Sequence, residues 1–254
     1  MPLRIAFDLD GVLADMEAEL VRQAELIFGE AMTRRLQEGS PTDQPDAAGD
    51  KPVSLDTGAR SAEKTITDTT PPLLRLKMTS RQQRRLWHHV ETIDNFWETL
   101  EELEPGVIRE LASLAADRRW EIIFLTKRPE SAGATAQVQT QRWLESKGFK
   151  LPSVFVVQGS RGRIAAALGL DIVIDDRPEN CLDVVVDSKA RAILVWREDV
   201  SLLPVAARRL GIGVVKSVGE CLDILTQIDS PEAQQPSVMD RIKRALGLTE
   251  AAGA

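Results

Sequence analysis

Two aspartates one residue apart, Asp8 and Asp10, followed at once by Gly11, are the side chains here with the most chemistry to offer. They end a short apolar run, Ile5 to Phe7, as where a buried strand meets a turn. Strand side chains alternate, so this spacing predicts that both carboxylates point to one side, within reach of a common cation or substrate. Asp175 and Asp176 repeat the pattern after Ile172 to Ile174, and Thr126 closes a third run, Trp120 to Leu125. Arg161 and Arg163 open a helical stretch shortly before Ile172. Three or four carboxylates meeting at one place repel one another unless a cation lies among them, and hard oxygen ligands of this kind suit Mg²⁺.

The elements that must position these residues follow from periodicity. From Asp15 to about Gln37, Met16, Leu20, Ala24, Ile27 and Ala31 recur at helical spacing. Residues 39–72 lose all periodicity and are dominated by Ser, Thr, Asp, Gly and Pro, so a loop or disordered insert is expected there. Helical spacing resumes at Leu86, Val90 and Ile93, with Phe96, Trp97 and Leu100 behind it. From Pro105 onward, apolar runs near 120–126, 154–157, 172–176, 192–196 and 213–216 alternate with helical stretches on short connections. That alternation predicts an α/β fold: a Rossmann-like, doubly wound, mostly parallel sheet covered on both faces. Ligands of such sheets bind outside the carboxyl ends of the strands, which is where Asp8, Asp10, Thr126, Asp175 and Asp176 would gather. The expected organisation is a core of 1–14 and 101–228, a helical module 15–100 inserted after the first strand, and a tail 229–254 with a short amphipathic helix near 238–248.

Composition removes other classes. A net charge of -7 over 254 residues argues against general nucleic-acid or anionic-membrane binding. Two cysteines, Cys181 and Cys221, provide neither a disulfide framework nor a thiolate metal site. The only histidines, His88 and His89, are adjacent and would diverge by about 100° on a helix, so they cannot chelate one metal together. No glycine-rich phosphate loop is present. With no leader and no apolar run near the roughly 18 residues of a membrane span, a cytoplasmic location is expected.

The segments Phe7-Asp-Leu-Asp-Gly-Val-Leu-Ala-Asp15, Phe124-Leu-Thr-Lys127, a basic residue at Arg161, and Ile174-Asp-Asp-Arg-Pro178 resemble, in this order, the four motifs of the haloacid-dehalogenase-like (HAD) hydrolase superfamily. The first and last also resemble the 5'(3')-deoxyribonucleotidase-like branch. The resemblance covers Arg4 to Trp196 and implies that the inserted helical module is a small cap. It implies that Asp8 attacks phosphorus to form an aspartyl-phosphate, while Asp10 protonates the leaving oxygen and later deprotonates water. Mg²⁺ would be held by the Asp8 carboxylate, the Asp10 backbone carbonyl and Asp175 or Asp176. The Thr126 hydroxyl and the Lys127 backbone N–H would hold phosphate oxygens, and Lys127, Arg128, Phe96 and Trp97 would meet the leaving group. An aspartate at position 10 favours phosphatase or phosphomutase chemistry. One position departs from the pattern: where the family has lysine, this chain has Arg161, 14 residues before Asp175. Arginine keeps the charge but presents a planar fork.

The expected activity is therefore Mg²⁺-dependent hydrolysis of a small phosphomonoester, with nucleoside monophosphates as candidate substrates. Two alternatives are a non-catalytic phosphate- or partner-binding protein on the same scaffold, suggested by the missing lysine, and a polynucleotide-end phosphatase, suggested by Arg81, Arg84 and Arg85.

Overall fold

A computed structural model describes residues 2–30 and 78–228; the polar stretch 39–72 and the tail with its amphipathic segment lie outside the described residues. The apolar runs become six parallel strands: β1 (Arg4–Asp8), β2 (Glu121–Thr126), β3 (Ser153–Val156), β4 (Ile172–Asp175), β5 (Arg191–Val195) and β6 (Gly213–Val215). They lie in the order β3-β2-β1-β4-β5-β6, the doubly wound order that reverses direction between β1 and β4. Phe7 of β1 partners Phe124 on one side and Ile174 on the other, so β1 is central.

Both faces of the sheet are covered, as continuous apolar strands require. Ile5 and Phe7 pack in one core with Ile122, Phe124 and Ile174, beneath α3 (Val107–Arg118), α4 (Ala136–Ser146) and α8 (Val218–Ile228). Ala6, Ile123, Leu125 and Val173 face a second core beneath α5 (Arg161–Leu168), α6 (Pro178–Asp187) and α7 (Val205–Arg209). The α/β class read from the sequence is the one observed.

Among the described residues, two α-helices stand between β1 and α3. The first, α1 (Met16–Phe28), starts one residue later than its periodicity suggests, because the Asp15 carboxylate takes the Ala18 N–H at 2.9 Å and caps it. Its expected continuation to Gln37 passes beyond the described residues. The second, α2 (Ser80–Glu91), opens with a capping box between Thr79 and Gln82. The pair meet where His89 Nε2 lies 3.0 Å from the Oε1 of buried Gln23, while His88 is exposed. The chain leaving β1 and the chain returning to α3 run side by side: Asp15 N donates to Glu101 O and Leu103 N to Leu13 O, both at 2.9 Å. Among the described residues no helix is long and apolar enough to cross a membrane.

The α5–α6 contact fixes where α5 begins. A Cβ on Gly162 would stand 2.0 Å from the Asp183 carbonyl oxygen of α6, so only glycine allows this approach. Gly162→Ala is expected to cost about 1–3 kcal/mol in urea denaturation, the range for forcing one methyl group into a packed contact.

Candidate active site

β1 ends at Asp8, whose side chain by alternation shares the Ala6 face, the face covered by α5 and α6. Arg161 is the first residue of α5, after the Ser160 cap. A cation there meets the positive end of the helix dipole, so the helix itself gains nothing from it. The side chain instead turns to the strand ends: Nη2 donates to Asp8 Oδ1, and Nε lies 3.6 Å from Asp175 Oδ2. Arg161 is 2% exposed. Arg163 is exposed and faces Asp187 at 4.0 Å, so Arg161 is the arginine that reaches the carboxylates. Its Nε and Nη1 are buried with no hydrogen-bond partner.

β4 delivers Asp175 to the same place, since β1 and β4 are adjacent at the switch point. Its oxygens are taken: Asn180 Nδ2 approaches at 3.0 and 2.9 Å, and Arg177 N donates to Oδ1 at 2.9 Å. Asp176 differs, because its Oδ1 is buried without a partner. Gly11 makes room for it: Gly11 has φ +89°, and a Cβ there would come within 2.0 Å of Asp176 Oδ2.

Burial dominates the electrostatics. It holds the Asp8 carboxyl well above the usual carboxylate range; the neighbouring Asp175 adds to this and the Arg161 guanidinium opposes it. Burial raises Asp175 too, against Arg161 and the hydrogen bonds from Arg177 and Asn180. Asp176 is pushed up to about 8, by burial first and then by Asp175. One guanidinium faces three carboxylates, Asp8 and Asp175 buried and Asp176 half-buried, and all three are shifted towards their protonated forms, against which a metal cation would compete.

Asp10 corrects one expectation. The strand stops two residues earlier, so strand alternation does not orient Asp10; the turn Leu9–Ala14 does, with Leu13 N and Ala14 N both donating to Leu9 O at 2.8 Å. The Asp10 carboxylate is turned to β2, where Thr126 Oγ1 donates to Oδ2 at 3.1 Å. Arg128 grips it from the same side, Nη2 to Oδ1 at 2.7 Å and Nε to Oδ2 at 3.0 Å. Among the described residues no three His, Cys, Asp or Glu side chains are clustered as metal ligands. The Asp10 carboxylate is thus turned to β2, while Asp8, Asp175 and Asp176 remain close enough to raise one another. The remaining donor set, two carboxylates and a backbone carbonyl, still suits a hard cation, and the partnerless Asp176 oxygen is the atom that most needs one.

The four residues expected at the leaving group fare differently. Lys127 is half-buried at the strand end. Phe96 and Trp97 are 0% exposed, with ring centroids 4.9 Å apart and nearly perpendicular. They are packing residues, and the expected substrate contact is wrong for both: aromatic side chains lower their free energy by burial, and Trp97 satisfies its Nε1 on Pro129 O at 3.0 Å. Arg128 is 2% exposed and bound to Asp10, with no face left open to solvent.

Three residues here were not anticipated. Asn180 fixes Asp175 as above. Arg197, just beyond β5, donates from Nη1 to Gly11 O at 2.6 Å and from Nη2 to Val12 O at 3.2 Å. Its Nη2 also meets Glu104 Oε1 at 2.7 Å, and Glu104 accepts from Val218 N and Gly219 N at the start of α8. The turn that carries Asp10 is thereby tied to the core. The strand-end rule that picked out Thr126 and Asp175 would have found Arg197 if applied to β5.

No family model matches the sequence, and no curated protein matches it either. Solved structures do resemble it. A protein from Thermotoga maritima assigned as a beta-phosphoglucomutase superposes with a TM-score of 0.50 at 19% identity, over 89% of this chain and 99% of its own. A HAD family hydrolase from Deinococcus radiodurans R1, solved with bound phosphate and sodium, gives 0.50 at 17% identity, over 89% of this chain and 96% of its own. At such identities the likeness is one of fold.

Proposed function

We propose that this chain, which has the HAD-like hydrolase fold, is a Mg²⁺-dependent phosphatase that hydrolyses small phosphomonoesters through Asp8. The observation that carries the reading is a pair of opposite deficits around Asp8: a buried guanidinium with donors to spare and a buried carboxylate oxygen without a partner. A phosphate oxygen would satisfy the first and a divalent cation the second. The phosphate bound in the Deinococcus radiodurans structure is consistent with such an anion site on this fold.

Asp8 forms a bond to phosphorus as the bond to the leaving oxygen breaks, and Asp10 gives that oxygen its proton. Asp10 then takes a proton from water, the water oxygen attacks phosphorus, and the bond to Asp8 breaks to free phosphate. Arg161 holds the phosphate and offsets the charge of Asp8, and the Thr126 hydroxyl, which donates to Asp10 in the free protein, turns to a phosphate oxygen when substrate binds. The ligands for Mg²⁺ would be the Asp8 carboxylate, the Asp10 carbonyl and, of the neighbouring pair, Asp176 in preference to Asp175, whose oxygens are occupied. When bound, the cation neutralises charge between an anionic nucleophile and an anionic substrate. Residues 15–100 act as the cap, the part that selects the leaving group, and a nucleoside monophosphate is the substrate first in line.

The test is phosphate release from nucleotides, sugar phosphates and phosphorylated acids with Mg²⁺ and then with chelator; no release from any of them would sink the reading. Melting provides a second arm. A carboxyl raised by folding contributes stability that is present below its ordinary value near 4 and is lost as pH rises through its folded value, for Asp176 about 8. Metal-free protein is therefore expected to melt lower as pH rises from about 4 to about 8. Mg²⁺ should raise the midpoint more at pH 8 than at pH 5, since at low pH it must displace protons. Equal shifts at both would remove the carboxylates as its ligands.

A further inference from the structure

Arg128 was expected at the leaving group, yet each of its three guanidinium nitrogens donates to another side chain of the protein. Nε and Nη2 span both oxygens of Asp10, and Nη1 donates to Thr140 Oγ1 at 2.9 Å. Thr140 is itself buried and passes its hydroxyl to Ala136 O at 2.7 Å, so it is free to accept from Arg128. The guanidinium lies 4.9 Å from the Trp97 ring centroid and 5.7 Å from that of Trp143. The two indoles are anchored in turn, Trp97 Nε1 on Pro129 O and Trp143 Nε1 on Leu100 O at 2.7 Å. Trp97 N is held by Gln139 Oε1 at 3.0 Å. A planar cation stacked on aromatic faces and forked onto a carboxylate has almost no rotational freedom left. So much fixation is more than an ion pair needs, and the one carboxylate it holds is Asp10.

We propose that Arg128, braced by Trp97 and Trp143, is a positioning residue that holds the Asp10 carboxylate in the orientation it needs to take a proton from the hydrolytic water. In this fork both Asp10 oxygens accept hydrogen bonds and each keeps a further lone pair, so the carboxylate is fixed in direction and can still face a water. The step it serves is the second half of the reaction: the water proton passes to Asp10, the water oxygen bonds to phosphorus, and the phosphorus–oxygen bond to Asp8 breaks. Formation of the aspartyl-phosphate from an aryl phosphate, whose leaving oxygen needs no proton, does not depend on it to the same degree. Arg128 thus acts through Asp10 and touches no substrate. The inference rests on the phosphatase reading above.

The experiment compares native protein with Arg128→Lys, Arg128→Met and Trp97→Leu on an aryl phosphate with Mg²⁺. Loss of positioning for the second half makes hydrolysis of the intermediate rate-limiting, so kcat and KM should fall together, by about tenfold or more for Arg128→Met, within the range that general-base catalysis supplies. A burst of one aryl alcohol per protein and a phosphoenzyme trappable by acid quench should accompany this. Arg128→Lys keeps the charge without the fork and should show the same signature; Trp97→Leu should show it more weakly. If Arg128→Met does not fold, as melting reports, the lysine and leucine variants decide. A rise in KM with kcat retained would return Arg128 to the substrate-contact role and overturn the proposal. A fall in kcat at constant KM without trapped phosphoenzyme would reduce it to a structural residue. Native protein that releases no phosphate from any substrate would overturn the phosphatase reading and this inference with it; an active native protein whose variants show no burst overturns the inference alone.

Discussion

Asp8→Asn is expected to lower phosphate release by about 10³-fold or more, the scale on which removing a nucleophile acts. The amide keeps the shape and a hydrogen-bonding oxygen for Arg161, so melting should show a folded protein, and the loss then belongs to chemistry. Burial holds the native carboxyl above its usual range with Arg161 opposing, so its reactive form depends on charge supplied from outside the chain as well as from Arg161. The companion measurement is phosphoenzyme trapping: native protein or an Arg128 variant should be labelled by phosphorylated substrate, and Asp8→Asn should not. Labelling of the Asn variant would move the nucleophile elsewhere.

Arg161→Met is expected to damage both stability and activity. Arg161 is the one cation contacting both Asp8 and Asp175 among the described residues, all three being buried. Removing one partner from a buried pair costs about 3–5 kcal/mol, because the charge left behind keeps its desolvation penalty. The deficit should depend on pH. Without the guanidinium, Asp8 and Asp175 lose the influence that opposes their raised values, so folding favours their protonated forms further. The gap between native and variant should therefore be small at pH 5 and widen towards pH 8, read from urea midpoints at the two values. Phosphate release should fall by about 10²-fold or more, with the larger part in kcat if the lost donors serve the transition state. Arg161→Lys should recover much of the stability, since an ammonium still offsets Asp8. It forms a narrower contact, and its reach to Asp175 is the part at risk. Equal stability of native and Arg161→Met at pH 8 would mean that the pair contributes nothing and that the carboxylates are neutral in the native state.

The scaffold was legible because parallel strands are buried on both faces and their apolar runs stand out, as in Trp120 to Leu125 and Ile172 to Ile174. Strand ends then pointed to Asp8, Thr126 and Asp175, and the chain order of helices and strands brought Arg161 to them. Asp10 escaped that logic, because the residue that orients it is a turn and two partners on β2, not a strand. Arg128 and Trp97 escaped it for a different reason. Nothing local links Trp97 to Trp143, 46 positions later, or either of them to Arg128. Their stacking exists only after α4 docks on the sheet, so a linear reading sees two exposed-looking polar and aromatic candidates where the fold makes a buried brace. Arg197, by contrast, lies just beyond β5 and is legible as a polar residue at a strand end.

The central place of β1 has a kinetic consequence. Ile5 finds its neighbours at Ile122 and Ile172, more than a hundred residues further along the chain. Pairing over such separations is slow to nucleate, so the sheet that carries Asp8 should form late, and the chain ahead of β2 must wait unpaired for it. The cost of that wait rises only with the logarithm of the intervening length, about 0.6 kcal/mol for each doubling. Between β1 and β2, then, extra chain is thermodynamically cheap, and this crossover is where the fold can lengthen and vary while the strand ends stay where they are.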